Sequence, residues 1–150
     1  MKYFLITRKK NNFIIDINNK NIINVYPLLL ALKNNNNNII QLLINYAKEN
    51  SIILEIKEKS YIGDYPLLLA IENNNTEMVR FLINYAKANN IIFDIIGENN
   101  NKNYPLLCAI KNNNIEIVHF LINYAKENNV VLNINNDNKK KGFSINMCNN

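Results

Sequence analysis

Pro27, Pro66 and Pro105 stand 39 residues apart, each inside Tyr-Pro-Leu-Leu, each followed by an asparagine run and then by Leu-Ile-Asn-Tyr-Ala-Lys. Residues 66–87 and 105–126 agree at 17 of 22 positions. Agreement at a fixed period means one structural unit in tandem. A unit this short cannot bury its apolar face alone, so neighbours are expected to stack, an expectation that a compact bundle without translational order would overturn. The 150 residues are 48% apolar and 19% charged, enough for such a stack to enclose a core.

Within a unit, proline at the first helical position loses nothing by its missing N–H, so Pro66-Leu-Leu-Leu-Ala-Ile-Glu72 reads as a short helix. It stops at Asn73, Asn74 and Asn75. Asparagine tolerates the left-handed conformation that ends a helix and also caps the next one, as at Asn34 to Asn36 and Asn112 to Asn114. A second helix follows, with Met78, Val79, Leu82, Ile83 and Ala86 at spacings of three and four, and with Phe81 and Tyr85 widening the stripe. Gln41, Arg80, His119, Lys48, Lys87 and Lys126 mark its wet face. The runs Ile52–Ile56, Ile91–Ile95 and Val130–Ile134 are β-branched with partial alternation and read as hairpin-like arms. Stacked helices lie about 8 to 10 Å apart, and two antiparallel strands fill roughly that width, so one hairpin fits each unit.

At this point the chain resembles the ankyrin-repeat family. The family's Thr-Pro-Leu-His-x-Ala opening is matched at Pro, Leu and Ala by Tyr26 to Ala31, Tyr65 to Ala70 and Tyr104 to Ala109, and Glu77 to Ile83 is similar to its second helix. The resemblance implies a mainly α helix-turn-helix solenoid with β-hairpin-like arms, three full repeats flanked by two half-repeats, and a concave protein-binding surface. Two departures carry consequences. Tyr and Leu stand where the family has Thr and His, so its hydroxyl-to-imidazole bond cannot form, and apolar packing is expected to replace it. The unit also exceeds the usual 33 residues or so, which lengthens the second helix by about one turn and extends the arm.

The period divides the chain as a single repeat domain: residues 1–25 as an N-terminal half-repeat and arm, 26–64, 65–103 and 104–142 as full repeats, and 143–150 as a C-terminal half-repeat. Tyr3 to Ile17 aligns with Phe81 to Ile95, and Phe143 to Cys148 with Tyr65 to Ala70. Two readings stay open. The ends are polar caps, marked by Arg8, Lys9, Lys10, Asn146, Asn149 and Asn150. Alternatively Phe143, Ile145 and Met147 of one molecule meet Tyr3, Phe4 and Leu5 of the next and propagate a head-to-tail fibre.

The net charge of +5 comes from the ends, where Lys2, Arg8, Lys9, Lys10 and Lys139 to Lys141 lie, so residues 11–138 sum to −2. Without a continuous basic stripe, nucleic acid is not an expected partner. No run approaches the roughly 18 apolar residues of a membrane span, and MKYFLITRKK is too short in its apolar part for a signal-peptide core, so a cytoplasmic protein without a membrane partner is expected. Cys108, Cys148 and His119 fall one ligand short of a closed zinc site. Gly63, Gly97 and Gly142 form no phosphate loop, and Glu77 and Glu116 recur because the unit recurs, so no enzyme, metal or cofactor is expected. Asn74-Asn75-Thr76 would accept a glycan only in a secreted chain. Asn45, Asn84 and Asn123, poor helix formers inside helices, are candidates for amide bonds between units or for solvated surface.

Helices barely change between units, while the arm tips at 18–25, 57–64, 96–103 and 135–142 share little. By resemblance, the contact candidates are Lys57, Lys59, Tyr61, Asp64, Glu98 and Lys102 on the tips and Lys33, Glu72 and Lys111 on the first helices.

Overall fold

The computed structural model describes residues 14–132. Six helices form three pairs: α1 (Pro27–Lys33) with α2 (Asn37–Glu49), α3 (Pro66–Glu72) with α4 (Thr76–Ala88), and α5 (Pro105–Lys111) with α6 (Ile115–Glu127). The short helices α1, α3 and α5 pack side by side as an inner row, each against its own long partner. The fold is a mainly α repeat solenoid.

Each first helix begins on its proline behind an extended tyrosine and offers Leu28, Leu67 or Leu106 to the core. Leu67 and Leu68 are fully buried between neighbouring units, so truncating either to alanine removes roughly 2–5 kcal/mol of stability. The helix ends on the asparagine run as expected. The second asparagine takes positive φ at Asn35 (49°), Asn74 (54°) and Asn113 (51°). The third returns its N–H to Ala31, Ala70 or Ala109 at 2.9–3.1 Å, closing a Schellman turn in every unit. That third residue then caps the long helix: the side chains of Asn36, Asn75 and Asn114 accept from Ile39, Met78 and Ile117 at 3.0–3.1 Å.

The same amides tie units together. Asn73 donates to the Leu32 carbonyl and Asn112 to the Ile71 carbonyl, both at 2.6 Å, each adding a second bond to an oxygen that already accepts the Asn35 or Asn74 N–H of the turn. Asn75 donates to Asn37 at 3.1 Å, and Asn114 to Asn74 at 2.7 Å. The mid-helix asparagines play a different part: Asn45 accepts from Gln41 within α2 at 2.9 Å, and Asn84 and Asn123 are exposed.

Two corrections concern tyrosine and the arms. Packing does not act alone at the Tyr-Pro corner, because the Tyr26 hydroxyl donates to the Glu58 carbonyl at 3.1 Å and that of Tyr65 to the Gly97 carbonyl at 3.3 Å. The arms are extended, with Leu54, Ile56, Phe93 and Ile95 turned inward and buried, yet no strand ladder is present among the described residues. Each tip is hairpin-like through a closing bond, Asn21 N–H to Val25, Ser60 to Asp64 and Asn99 to Asn103, all at 2.9 Å, around an inner turn bond from Asn24 to Asn21, Gly63 to Ser60 and Lys102 to Asn99. Main-chain groups further down the arm turn to side chains of neighbouring units instead of to a partner strand.

Candidate functional site

Successive tips are joined through the main chain: Tyr61 N–H donates to Ile23 at 3.2 Å, and Asn100 N–H to Ile62 at 2.8 Å. Gly63 makes this approach possible. It sits at φ 82°, and a Cβ there would meet Asn99 Cα at 2.7 Å, closer than such contacts allow. Tyr61 stands at the second tip, 75% exposed. Beside it the exposed side chains of Ile22, Ile23 and Ile62 make an apolar patch that charge-based reading of the tips passes over. Its sequence signal is the tip register, in which Ile22-Ile23 and Tyr61-Ile62 hold the same places.

Where the tips descend to the first helices, the candidate charges form a connected belt. Lys33 pairs with Asp64 at 3.1 Å, and the other Asp64 oxygen accepts from Asn99 at 3.0 Å. Glu72 accepts from Asn103 at 2.8 Å, and Asn103 in turn accepts from Lys111 at 3.2 Å. Asp64 is therefore misplaced among exposed contact residues: it is 5% exposed, and its carboxylate is occupied in holding α1 to the neighbouring arm. Asn99, buried and absent from the sequence-based candidates, completes the belt.

The other tip charges are also engaged in part. Lys59 pairs with Asp94 at 2.7 Å and lies 5.1 Å from the centroid of the Tyr65 ring. Partial burial would raise the Asp94 pKa, but the bond and charge of Lys59, with the amides of Gly97 and Ile96, outweigh it and hold that carboxyl below its ordinary value. Burial, reinforced by nearby carboxylates, pushes the Tyr26 and Tyr65 phenols far above their usual range, so both stay protonated donors. Lys102 pairs with Glu98 at 2.5 Å. Lys57 is exposed and enters no ion pair among the described residues. The tips and belt thus offer apolar and cationic contacts around a saturated polar floor.

No reactive group joins them. Among the described residues no cluster of His, Cys, Asp and Glu could hold a metal, and no helix is long and apolar enough to cross a membrane. His119 is exposed on α6. Cys108 is buried in α5, where burial, with Glu72 adding, pushes its thiol up to about 11. Cys148 and the expected self-assembly residues Tyr3, Phe4, Leu5, Phe143, Ile145 and Met147 lie outside the described residues, as do the expected polar caps.

A stacked series of helix pairs with projecting arms defines a repeat solenoid. The chain belongs to the ankyrin repeat family: the family profile for ankyrin repeats (3 copies) matches residues 2–94 and, in a second register, 52–133. Members are generally protein–protein interaction modules and typically non-catalytic. Comparison with curated proteins finds no match.

Proposed function

We propose that this chain is a non-catalytic scaffolding module that binds a protein partner through its arm tips and the concave face of its first helices. The supporting observation is the tip patch, where Tyr61 projects beside Ile23 and Ile62 while the belt beneath is internally paired. A rigid aromatic surrounded by aliphatic side chains suits an interface anchor. Lys20, Lys33 and Lys59 are paired with acids, which favours a protein over nucleic acid. We read residues 1–150 as one repeat domain and assign it to the cytoplasm, where a reduced Cys108 is the ordinary state. Site-specific photocrosslinking tests this reading: a crosslinker at Tyr61 should capture a partner that one at His119 does not, and Tyr61→Ala with Lys57→Glu should abolish capture without lowering the melting temperature. Equal capture at both positions would refute it.

A second reading is a structural subunit that joins head to tail. Leu30 on α1 and Ile110 on α5, at the two ends of the described stack, are 49% and 52% exposed, whereas their counterparts Leu69 and Ile71 are buried inside it. Faces that match an existing interface favour continuation of the stack. Sedimentation that strengthens with concentration, and thin strands by electron microscopy, would support it; a monomer at every concentration would end it.

A further inference from the structure

Ile14, Ile53, Ile92 and Val131 occupy one position of the unit and are 56%, 62%, 60% and 61% exposed. Among the described residues this is the only exposed position that is aliphatic in all four arms. The tips have diverged from Ile22 through Tyr61 to Asn100 at equivalent places. Stacking does not hold the outer row, since Leu54 and Phe93 beside it supply the buried contacts. An extended backbone favours β-branching, which threonine would satisfy without exposing hydrocarbon.

Ile92 forms a ridge between two open grooves. One, of about 540 Å³, is lined by Tyr65, Phe93, Lys59 and Asp94. The other, of about 450 Å³, is lined by Ala86, Ile91, Tyr124 and Glu127. Most charges around the row are already matched: Lys59 with Asp94 and Lys87 with Glu127, both at 2.7 Å, and Lys20 with Glu55 at 3.6 Å, while Lys57 on the wall of the first groove enters no ion pair among the described residues. A stripe that meets the four aliphatic side chains themselves is therefore uncharged, with room for an acid only at its edge beside Lys57. Part of the main chain is committed as well. Leu54 and Phe93 donate their N–H groups to tyrosine hydroxyls, and the Ile53 carbonyl accepts from Asn18 at 2.7 Å. An added strand needs an unbroken run of free donors and acceptors, which these bonds interrupt, whereas a helix satisfies its own backbone.

Spacing points the same way. Units stack about 8 to 10 Å apart, and a helix advances about 10.5 Å in seven residues. Strand residues on one face recur at roughly 6.6 Å and fall out of step. We propose that the row Ile14, Ile53, Ile92 and Val131 is a docking ridge for an amphipathic α-helix of a partner protein, bearing an uncharged aliphatic stripe at seven-residue spacing and lying along the stack. It is a surface separate from the tip patch.

The test uses the full chain and two stapled, monomeric, fluorescent helical peptides of equal length, about four heptads. One carries three leucines seven residues apart; the other has the same composition with its three leucines eleven apart, still on one face but out of register. Anisotropy should show saturable binding of the first, at least about tenfold tighter than of the second. Ile53→Thr with Ile92→Thr should weaken it by a similar factor with unfolding curves retained, and Tyr61→Ala should leave it unchanged. Equal binding of both peptides, no saturable binding, or indifference to the threonine pair would overturn the proposal. Loss on Tyr61→Ala would move the site to the tips and overturn it too.

Discussion

The Tyr85 hydroxyl accepts the Leu54 amide proton at 2.9 Å across 31 residues of sequence, and Tyr124 does the same for Phe93 at 2.8 Å. Tyr46 holds Ile15 likewise at 2.8 Å. One side chain of the long helix thus fixes the arm of the unit before it.

Removing that acceptor leaves a part-buried amide without a partner. Tyr85→Phe should lower unfolding free energy by about 1–3 kcal/mol, measured by urea denaturation. Gln41→Ala, which only frees Asn45 on the surface of α2, should change it little. Equal effects from the two variants would show that the hydroxyl bond contributes nothing special.

At Asn35 the backbone is left-handed, with φ at 49°. A β-branched residue there is strained, so Asn35→Val should cost about 1–2 kcal/mol, while Asn35→Gly should be neutral or better. Thermal melts of the two variants give the comparison, and a valine variant as stable as wild type would contradict the turn geometry.

Asp64 sits at the centre of the polar belt. Asp64→Ala leaves the buried Asn99 amide only its long 3.5 Å bond to Glu72 and should destabilise by about 1–3 kcal/mol, whereas Lys33→Met, which removes a half-exposed partner, should cost at most about 1 kcal/mol. The reverse order in chemical denaturation would mean that the ion pair, not the buried amide bond, is what the carboxylate supplies.

Cys108 gives a pH signature. Its folded pKa, about 11, lies above the ordinary thiol value of 9.0, so the folded state holds the proton more tightly. That contribution is complete below pH 9 and disappears as pH rises towards 11. In a Cys148→Ser background, iodoacetamide at pH 8 should leave Cys108 unmodified until urea unfolds the chain, and Cys108→Ala should flatten the alkaline loss of stability. Rapid labelling of the folded protein would show that the thiol is open to solvent.

Much of this was legible in the residues. Pro66, the Asn73 to Asn75 run and the apolar spacing of Val79, Leu82 and Ala86 determine where helices start, stop and face, because those preferences act within a few residues. The β-branched runs correctly indicated extended arms. They could not indicate that Leu54 N–H would find Tyr85 instead of a partner strand, since both endpoints satisfy the same donor and only the distance between units chooses. Asp64 was misjudged for a related reason: a charged residue beside a glycine turn looks exposed, and its burial depends on Lys33 and Asn99, some thirty residues away on either side. The tip patch is not legible because isoleucine is frequent throughout this sequence and carries little information until neighbouring tips are brought together.

The asparagine and tyrosine bonds join only units adjacent in sequence. Among the described residues these bonds do not wait for a distant segment to be made. Each unit can settle onto the one already synthesised, and lengthening the protein by one more copy would demand no redesign of the rest.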